Sequence, residues 1–247
     1  MTPLNPLFWI QSHNFGDRLN PLLYKAITGE EPVFSKKDGK VLAIGSIMHE
    51  AQPLDTVWGT GCMSPNLPHK FADSTKFLAV RGPLTAQFIK DKLDIYPTIY
   101  GDPALLLPLY FPPAETKDYQ IGVVLHYADN EKYWMSSDTV TTIGSTDSPP
   151  LRIIQKITSC DMIVSSSLHG IVVAETYGIP AVWVEFGDSV AGKGFKFRDY
   201  YASTNRDIEP LDAHAGLDLR KAEKIASEWS MPEFDLQKLL KVCPFGS

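Results

Sequence analysis

Short apolar segments alternate with amphipathic ones along the chain, and this alternation restricts the fold more than any other feature. The apolar run LFWI (residues 7–10) is followed by a polar loop and then by RLNPLLYKAI, whose leucines recur at helical spacing. The segments VLAIGS, TVWGTG and FLAVRG are apolar runs that end in glycine or serine, and the last precedes a helical pattern, GPLTAQFIKDKL. Strands that alternate with helices in this way predict an α/β fold with a mostly parallel sheet.

The alternation continues along the rest of the chain. TIYGDPALLLP shows the same pattern with a break at residues 101–103, and the proline-rich residues 107–120 beyond it predict a linker. After the linker we expect strands in IGVVLHY, TTIGS and AVWVEFG, a helix from Pro149 through Thr158, and a helical tail. The sequence therefore predicts two domains, residues 1–113 and 114–247, with a boundary near Pro113.

Composition excludes several classes of protein. A chain of 247 residues with 44% hydrophobic content can bury one large core or two small ones, and a net charge of -6 argues against general binding to nucleic acid. The three cysteines have no CxxC spacing, which disfavours both a disulfide framework and a zinc site. His13, His49, His69 and His214 have no ligand spacing either, so we predict no metal.

The N-terminal segment has no basic stretch followed by a long apolar one. No apolar run approaches the roughly 18 residues of a membrane span. These features predict a soluble cytoplasmic protein.

The segment DMIVSSSLHGIVVAETYGIPAVWV (residues 161–184) places three serines and a histidine where a strand passes into a helix. A helix N-terminus presents free N–H groups and the positive end of the helix dipole, so this turn favours an anion site. Ser165 taken alone is better explained as a helix cap. A structural alternative for His169 is a hydrogen bond to a strand carbonyl.

Polar residues also end the other apolar runs. Since parallel strands end at one edge of their sheet, we expect these residues to line the rims of two sheets that enclose a cleft. The candidates are Asn14, Gly16, Asp17, Gly59, Gly61, Arg81, Asp102 and His126.

Simpler roles for some of these candidates stay open. Asn14 and Asp17 can cap the first helix, and Arg81 can bridge the two domains. Asp102 can form the turn before a proline, and His126 can be a buried core histidine.

Seven segments, in order and spacing, resemble the polysaccharide pyruvyl transferase family: HNFGDRLNP, VWGTGCM, AVRGPLTA, YGDPALLLP, IGVVLHYAD, SSSLHGIVVAETYGIPAVWV and FKFRDYYAS. The resemblance implies a GT-B-like fold, with two Rossmann-like domains facing a central cleft. It implies transfer of a pyruvyl group from phosphoenolpyruvate to a sugar of a cell-surface glycan precursor as a cyclic ketal, with no cofactor. Acceptors in the family are often lipid-linked, which would bring the protein into transient contact with the inner face of the membrane.

The predicted chemistry suits two residues. Phosphoenolpyruvate carries a carboxylate and a phosphate, and the forked guanidinium of Arg81 can hold either group. Ketal formation needs a proton at the enol carbon, and a histidine can supply it near neutral pH. By the resemblance, Arg81 matches the family's donor-binding arginine and His169 its essential histidine.

This chain departs from the family pattern at one position. Where many members read Ser/Thr-Arg-Leu-His-Gly, it has Ser167-Leu168-His169-Gly170, so that a serine replaces an arginine. We expect Lys196 or Arg198 to supply the lost charge. The remaining residues of the predicted substrate site are Ser166, Ser167 and Leu168.

Two other functions stay open at this point. One is a GT-B-type glycosyltransferase that uses a nucleotide sugar, because fold does not fix function. The other is a non-catalytic glycan-binding relative, with which the missing arginine is compatible.

Overall fold

The computed structural model describes residues 6–129, 133–146 and 148–246. Within these ranges the strands are β1 Leu7–Phe8, β2 Val41–Leu42, β3 Thr56–Trp58, β4 Lys76–Ala79, β5 Tyr119–Leu125, β6 Val140–Gly144, β7 Cys160–Ser165, β8 Ala181–Glu185 and β9 Leu211–Asp212. The α-helices are α1 Phe15–Thr28, α2 Pro83–Leu93, α3 Pro150–Thr158, α4 Leu168–Thr176, α5 Phe195–Ala202, α6 Leu219–Ser227 and α7 Leu236–Lys241. Among the described residues, Met48–Glu50 and Pro103–Leu109 form 3-10 helices.

The strands form two parallel sheets, which confirms the predicted α/β class. The first sheet has the order β1-β2-β3-β4, and its strands are short. The second has the order β6-β5-β7-β8-β9. The chain passes from β5 to β6 on one side of β5 and then returns past β5 to β7 on its other side. The strand order therefore changes direction at β5, and a crevice forms at the carboxyl ends of β5 and β7. Open α/β sheets bind ligands at such a switch point.

One hydrophobic cluster runs through both halves of the chain. It includes Leu19 of α1, Trp58 of β3, Ile154 of α3 and Val172 of α4. Every residue of α4 is buried, and its central turn, residues 171–174, is apolar on all sides rather than on one stripe. The two sheets are therefore joined by packed helices. The division into two domains near Pro113 stays a prediction.

The segment TIYGDPALLLP forms less strand than its pattern predicts. Tyr100 pairs with Val80 through a single parallel bridge. The chain then turns, because Gly101 has a φ of 144° and Pro103 has no N–H to continue a ladder. The next element is the 3-10 helix Pro103–Leu109, not an α-helix.

The C-terminal segment is helical as predicted, and it returns to the first half of the molecule. The indole of Trp58 donates a hydrogen bond to the carbonyl of Leu239 in α7 at 3.0 Å. Phe245 packs on the rings of Tyr24 and Trp58. None of the helices in the described ranges is long and apolar enough to cross a bilayer.

Candidate active site

A cleft of about 240 Å³ lies where the carboxyl ends of the two sheets meet. The predicted residues that line it are Asn14, Asp17, His126, Ser167, Leu168, His169 and Lys196. Larger surface cavities, of about 580 and 590 Å³, contain none of the predicted residues. We therefore choose the cleft as the candidate site because the predicted residues line it, although other cavities are larger.

His169 stands in the first turn of α4 and faces residues from both halves of the chain. Its imidazole ring lies against Gly16 of α1 so closely that a Cβ at Gly16 would overlap it. Its Nε2 is 3.4 Å from Oδ2 of Asp102, a residue of the loop before the second 3-10 helix. Gly16 thus contributes to the site by leaving room for the histidine ring.

Asp102 both forms the turn before Pro103 and contacts His169. One carboxylate oxygen, Oδ1, accepts the N–H of Ala104 at 3.0 Å and caps the 3-10 helix. The other, Oδ2, faces His169. The residue is fully buried and does not line the cleft itself.

His126 directly follows β5 and lines the cleft. Its backbone N–H donates to Ser166 Oγ at 3.0 Å, and its Nδ1 accepts the N–H of Ala128 at 3.2 Å. Burial, together with the charges of Lys196 and His169, lowers the pKa of His126 to about 3. The imidazole is therefore neutral at physiological pH, and it is both a cleft wall and a buried histidine.

Lys196 is the lysine of α5 that reaches the cleft. Its side chain is 8% exposed, and Nζ lies 3.3 Å from Nε2 of His126. Burial and the charge of Arg81 lower the pKa of Lys196 to about 8, while Asp129 and Asp17 act in the opposite direction. A buried lysine with this pKa is still mostly charged at pH 7, and an anion beside it would favour the charged form.

Arg198, the other predicted source of charge, lies outside the cleft. Its guanidinium forms an ion pair with Glu209 and sits 5.2 Å from the ring centroid of Trp183. Residues two positions apart on a helix point about 200° apart, so α5 cannot bring both cations to one site. The structure brings Lys196 to the predicted site and leaves Arg198 on the far face.

Arg81 joins the two halves of the chain behind the cleft. The fully buried guanidinium pairs with Asp199 of α5 at 2.9 Å and donates to Ser46 Oγ at 2.7 Å and to the carbonyl of Cys62 at 2.6 Å. Ser46 lines the cleft but Arg81 does not. Arg81 therefore has the bridging role that the sequence left open. Direct contact between Arg81 and phosphoenolpyruvate stays a prediction.

Gly59 and Gly61 lie behind the cleft and do not line it. Gly59 has a φ of 92°, and a Cβ there would overlap Pro103. A Cβ at Gly61 would overlap the guanidinium of Arg81. These two glycines make room for the loops that hold Asp102 and Arg81, and their role in substrate binding stays a prediction.

The three serines have different roles. The expectation that Ser165 caps α4 is wrong, because β7 continues through Ser165 and the N-cap is Ser167. Ser165 Oγ instead bonds to the carbonyl of Val124 at 3.0 Å. Ser166 lies outside the cleft and bonds to Asp129, which fixes the loop after β5. Ser167 lines the cleft, and its hydroxyl makes no capping bond.

Asn14 and Asp17 form the opposite wall, at the start of α1. Asn14 occupies the N-cap position but its side chain makes no capping bond, and its amide donates instead to Asp17 Oδ2 at 3.3 Å. Ser12 Oγ donates to the same carboxylate oxygen at 2.6 Å. The carboxylate of Asp17 therefore lies at the cleft, close enough to Lys196 to act on the pKa of its ammonium group.

Ser46 also lines the cleft, as expected from its position at the end of a predicted strand. Three further residues of the cleft were not anticipated: His49, Met63 and Tyr127. Tyr127 directly follows His126 at a strand end, so the reasoning from strand ends could have found it. Asp199 had no local signal, because its hydrogen-bond partner Thr85 lies 114 positions earlier.

No group of three or more histidine, cysteine, aspartate or glutamate residues among the described residues is arranged to hold a metal ion. The expectation that the protein binds no metal stays a prediction.

Comparison with known proteins identifies the family. The family model of polysaccharide pyruvyl transferase matches residues 63–188, just over half of the 247 residues. The chain belongs to the polysaccharide pyruvyl transferase family. The matched segment includes Arg81, Asp102, His126 and His169. Membership in this family indicates a transferase that functions in polysaccharide biosynthesis.

Two relatives resemble this family member over most of its length. Uncharacterized protein L143 of Acanthamoeba polyphaga mimivirus is 28% identical over 208 residues, which cover 78% of this chain and 71% of the relative. Succinoglycan biosynthesis protein ExoV of Rhizobium meliloti (strain 1021) is 24% identical over 247 residues, which cover 92% of this chain and 73% of the relative. No solved structure matches the chain significantly.

Proposed function

We propose that the protein is a ketal pyruvyltransferase that transfers the pyruvyl group of phosphoenolpyruvate to two hydroxyls of one sugar in a glycan precursor. The observation that carries this proposal is the meeting of Lys196, His126 and His169 at the N-terminus of α4 in one cleft. The family and the similarity to a succinoglycan biosynthesis protein support an acceptor of the polysaccharide class.

The cleft offers an anionic donor several complementary groups. Lys196 is a buried cation without a carboxylate in direct ion pairing among the described residues. Ser167, Leu168 and His169, at the N-terminus of α4, line the same cleft. Backbone N–H groups at a helix N-terminus and a buried ammonium are the groups that hold phosphate and carboxylate oxygens. Lys196 is thus our candidate for the charge that Ser167 does not supply.

The proposed reaction balances without a cofactor. The methylene carbon of phosphoenolpyruvate gains one proton, and the neighbouring carbon becomes cationic. The first sugar hydroxyl adds to that carbon and loses its proton. The bond between this carbon and the phosphate oxygen then breaks, and the second hydroxyl adds to the carbon and loses its proton. One of these two protons replaces the proton given to the methylene carbon, and the other leaves with the phosphate. The protein therefore needs one group that both gives and takes a proton, and His169 is our candidate for this role.

Tyr127 is the best candidate for contact with the acceptor sugar. Its side chain is 61% exposed at the cleft, and its ring lies 4.3 Å from that of His126. An exposed aromatic ring supplies a flat apolar surface with a polar end, which suits one face of a sugar ring. Tyr127 would then place the sugar hydroxyls beside the donor.

The fold supports a GT-B-like arrangement of two Rossmann-like domains. Both parallel sheets direct their carboxyl ends toward the cleft, and α7 packs back on the first half. We further propose a cytoplasmic enzyme that reaches a lipid-linked acceptor at the inner face of the membrane.

The proposed function is tested by phosphate release. The purified protein is incubated with phosphoenolpyruvate and a panel of nitrophenyl or lipid-linked sugars. We expect phosphate release that requires both substrates. Activity with a nucleotide sugar in place of phosphoenolpyruvate would favour a glycosyltransferase, and sugar binding with no phosphate release would favour a glycan-binding protein.

Replacing Tyr127 with alanine should weaken acceptor use. We expect the KM for the sugar to rise roughly 3- to 10-fold, the loss of one aromatic contact, with the KM for phosphoenolpyruvate unchanged. Steady-state kinetics with each substrate varied in turn measure both constants. Trp134→Ala is the matched control, because Trp134 is 50% exposed but does not line the cleft. An unchanged sugar KM in Tyr127→Ala would remove this residue from the acceptor site.

A further inference from the structure

We propose that Asp102 positions His169 by holding its Nε2–H, so that Nδ1 is the nitrogen that exchanges protons with the substrate. The identity of that substrate rests on the proposed function. The hydrogen-bond arrangement itself can be measured without any substrate.

The two facing atoms have no other hydrogen-bond partner in the part of the chain that the structure describes. His169 Nε2 and Asp102 Oδ2 lie 3.4 Å apart, and both are buried. Neither has a hydrogen bond to any other described residue. A buried polar atom left unpaired costs about 1–3 kcal/mol, more when it is charged, so each is the natural partner of the other. The separation exceeds a mature N–H···O bond, as is common in catalytic pairs before substrate binds.

The carboxylate of Asp102 is fixed in place. Its Oδ1 is held by the N–H of Ala104 at 3.0 Å, which prevents free rotation of the group. The 3-10 helix that Asp102 caps is tied in turn to the end of α4, where Thr176 Oγ1 donates to the carbonyl of Leu105 at 2.8 Å. The 3-10 helix next to Asp102 and the helix α4 that contains His169 are therefore also connected by this hydrogen bond.

The imidazole ring has little freedom to turn. One side of it lies against Gly16 in α1, with Nδ1 as the atom nearest to the position that a Cβ would take. Nε2 is buried and faces Asp102. His169 lines the cleft, and Nδ1 is its remaining nitrogen. A proton that His169 gives to a ligand therefore leaves from Nδ1.

This arrangement fits both halves of the proton transfer. With His169 charged, the Nδ1–H bond breaks as the π electrons of phosphoenolpyruvate form a C–H bond at the methylene carbon, and the positive charge passes to the neighbouring carbon. The ring is left neutral, with its proton on Nε2 toward Asp102. The Nδ1 lone pair then takes the proton of the attacking sugar hydroxyl. Asp102 accepts the Nε2–H in both states of the ring and takes no proton of its own.

The substitution Asp102→Asn tests the proposal. Asparagine is also a good helix cap, so its amide oxygen should keep the bond to the Ala104 N–H. The amide NH2 group then faces Nε2, and two donors would meet. The ring should therefore move its proton to Nδ1. For a histidine held in the wrong tautomer we expect kcat to fall about 10²- to 10⁴-fold, with the KM for phosphoenolpyruvate little changed.

The position of the proton on the His169 ring can be measured without an activity assay. Long-range ¹H–¹⁵N spectra at about pH 9, where histidine is neutral, show which nitrogen carries the proton, and His169→Gln identifies the signals of His169. We expect the proton on Nε2 in the wild type and on Nδ1 in Asp102→Asn. The control is Asp218→Asn, because Asp218 caps α6 through the N–H groups of Arg220 and Lys221 and should affect neither measurement.

Two results would overturn the positioning role: a wild-type proton on Nδ1, or a normal kcat in Asp102→Asn. If the wild type releases no phosphate from phosphoenolpyruvate, the proposed function fails, and the spectra alone decide whether Asp102 holds Nε2–H.

Discussion

Replacing His169 with glutamine is expected to lower turnover about 10²- to 10⁴-fold, the usual loss when a general acid is removed. Glutamine is polar and similar in size, but it cannot give up a proton at physiological pH. The N-terminus of α4, Ser167 and Lys196 remain in this variant, so phosphoenolpyruvate should still bind. Phosphate release measures turnover, and calorimetry measures binding of the donor.

The outcomes for His169→Gln separate three roles. Low turnover with retained binding supports the proton-transfer role. A parallel loss of binding and turnover would make His169 an anion ligand instead. Near-normal turnover would leave it as a structural residue at the junction of α1 and α4. Thermal unfolding of the variant, expected to be close to wild type, guards against a folding defect.

Replacing Lys196 with methionine should weaken binding of phosphoenolpyruvate by roughly 10- to 100-fold. Methionine fills similar space without the charge, and a hydrogen bond to a charged group contributes about 1.5–3 kcal/mol. Arg198→Met is the matched control, since Arg198 is a cation of the same helix that lies outside the cleft. Calorimetry on both variants measures the effect. Equal and small changes would mean that Lys196 does not supply the charge missing at Ser167.

The lowered pKa of Lys196 also predicts how donor binding depends on pH. The pKa of the free protein's Lys196 is about 8, and a bound anion raises it by favouring the charged form. Binding should therefore be strongest below about pH 8 and weaken as pH rises through that value. Lys196→Met should lose this part of the pH dependence. The same dependence in wild type and variant would assign it to another group.

Much of the site could be predicted from strand ends alone. Asn14, Asp17, His126 and His169 were each inferred from a polar break after an apolar run, and the structure brings all four into one cleft. This works because the ends of parallel strands share one edge, whatever the details of each loop.

The remaining features depend on contacts that no local pattern carries. The choice between Lys196 and Arg198 needed the phase of α5, a helix that was not predicted from the sequence. Ser165 looked like a cap because the last residue of β7 was not known, and the N-cap proved to be Ser167 two residues later. The pairing of Arg81 with Asp199 joins residues from opposite halves of the chain.

The most direct test of the proposed ketal transfer is the structure of the product. Phosphoenolpyruvate and an accepted sugar are incubated with the protein, and the sugar is isolated and analysed by NMR and mass spectrometry. The proposal predicts a sugar heavier by one pyruvic acid less one water, with a methyl group on a quaternary carbon bonded to two sugar oxygens. An unmodified sugar, or one that carries a vinyl group on a single oxygen, would contradict ketal transfer.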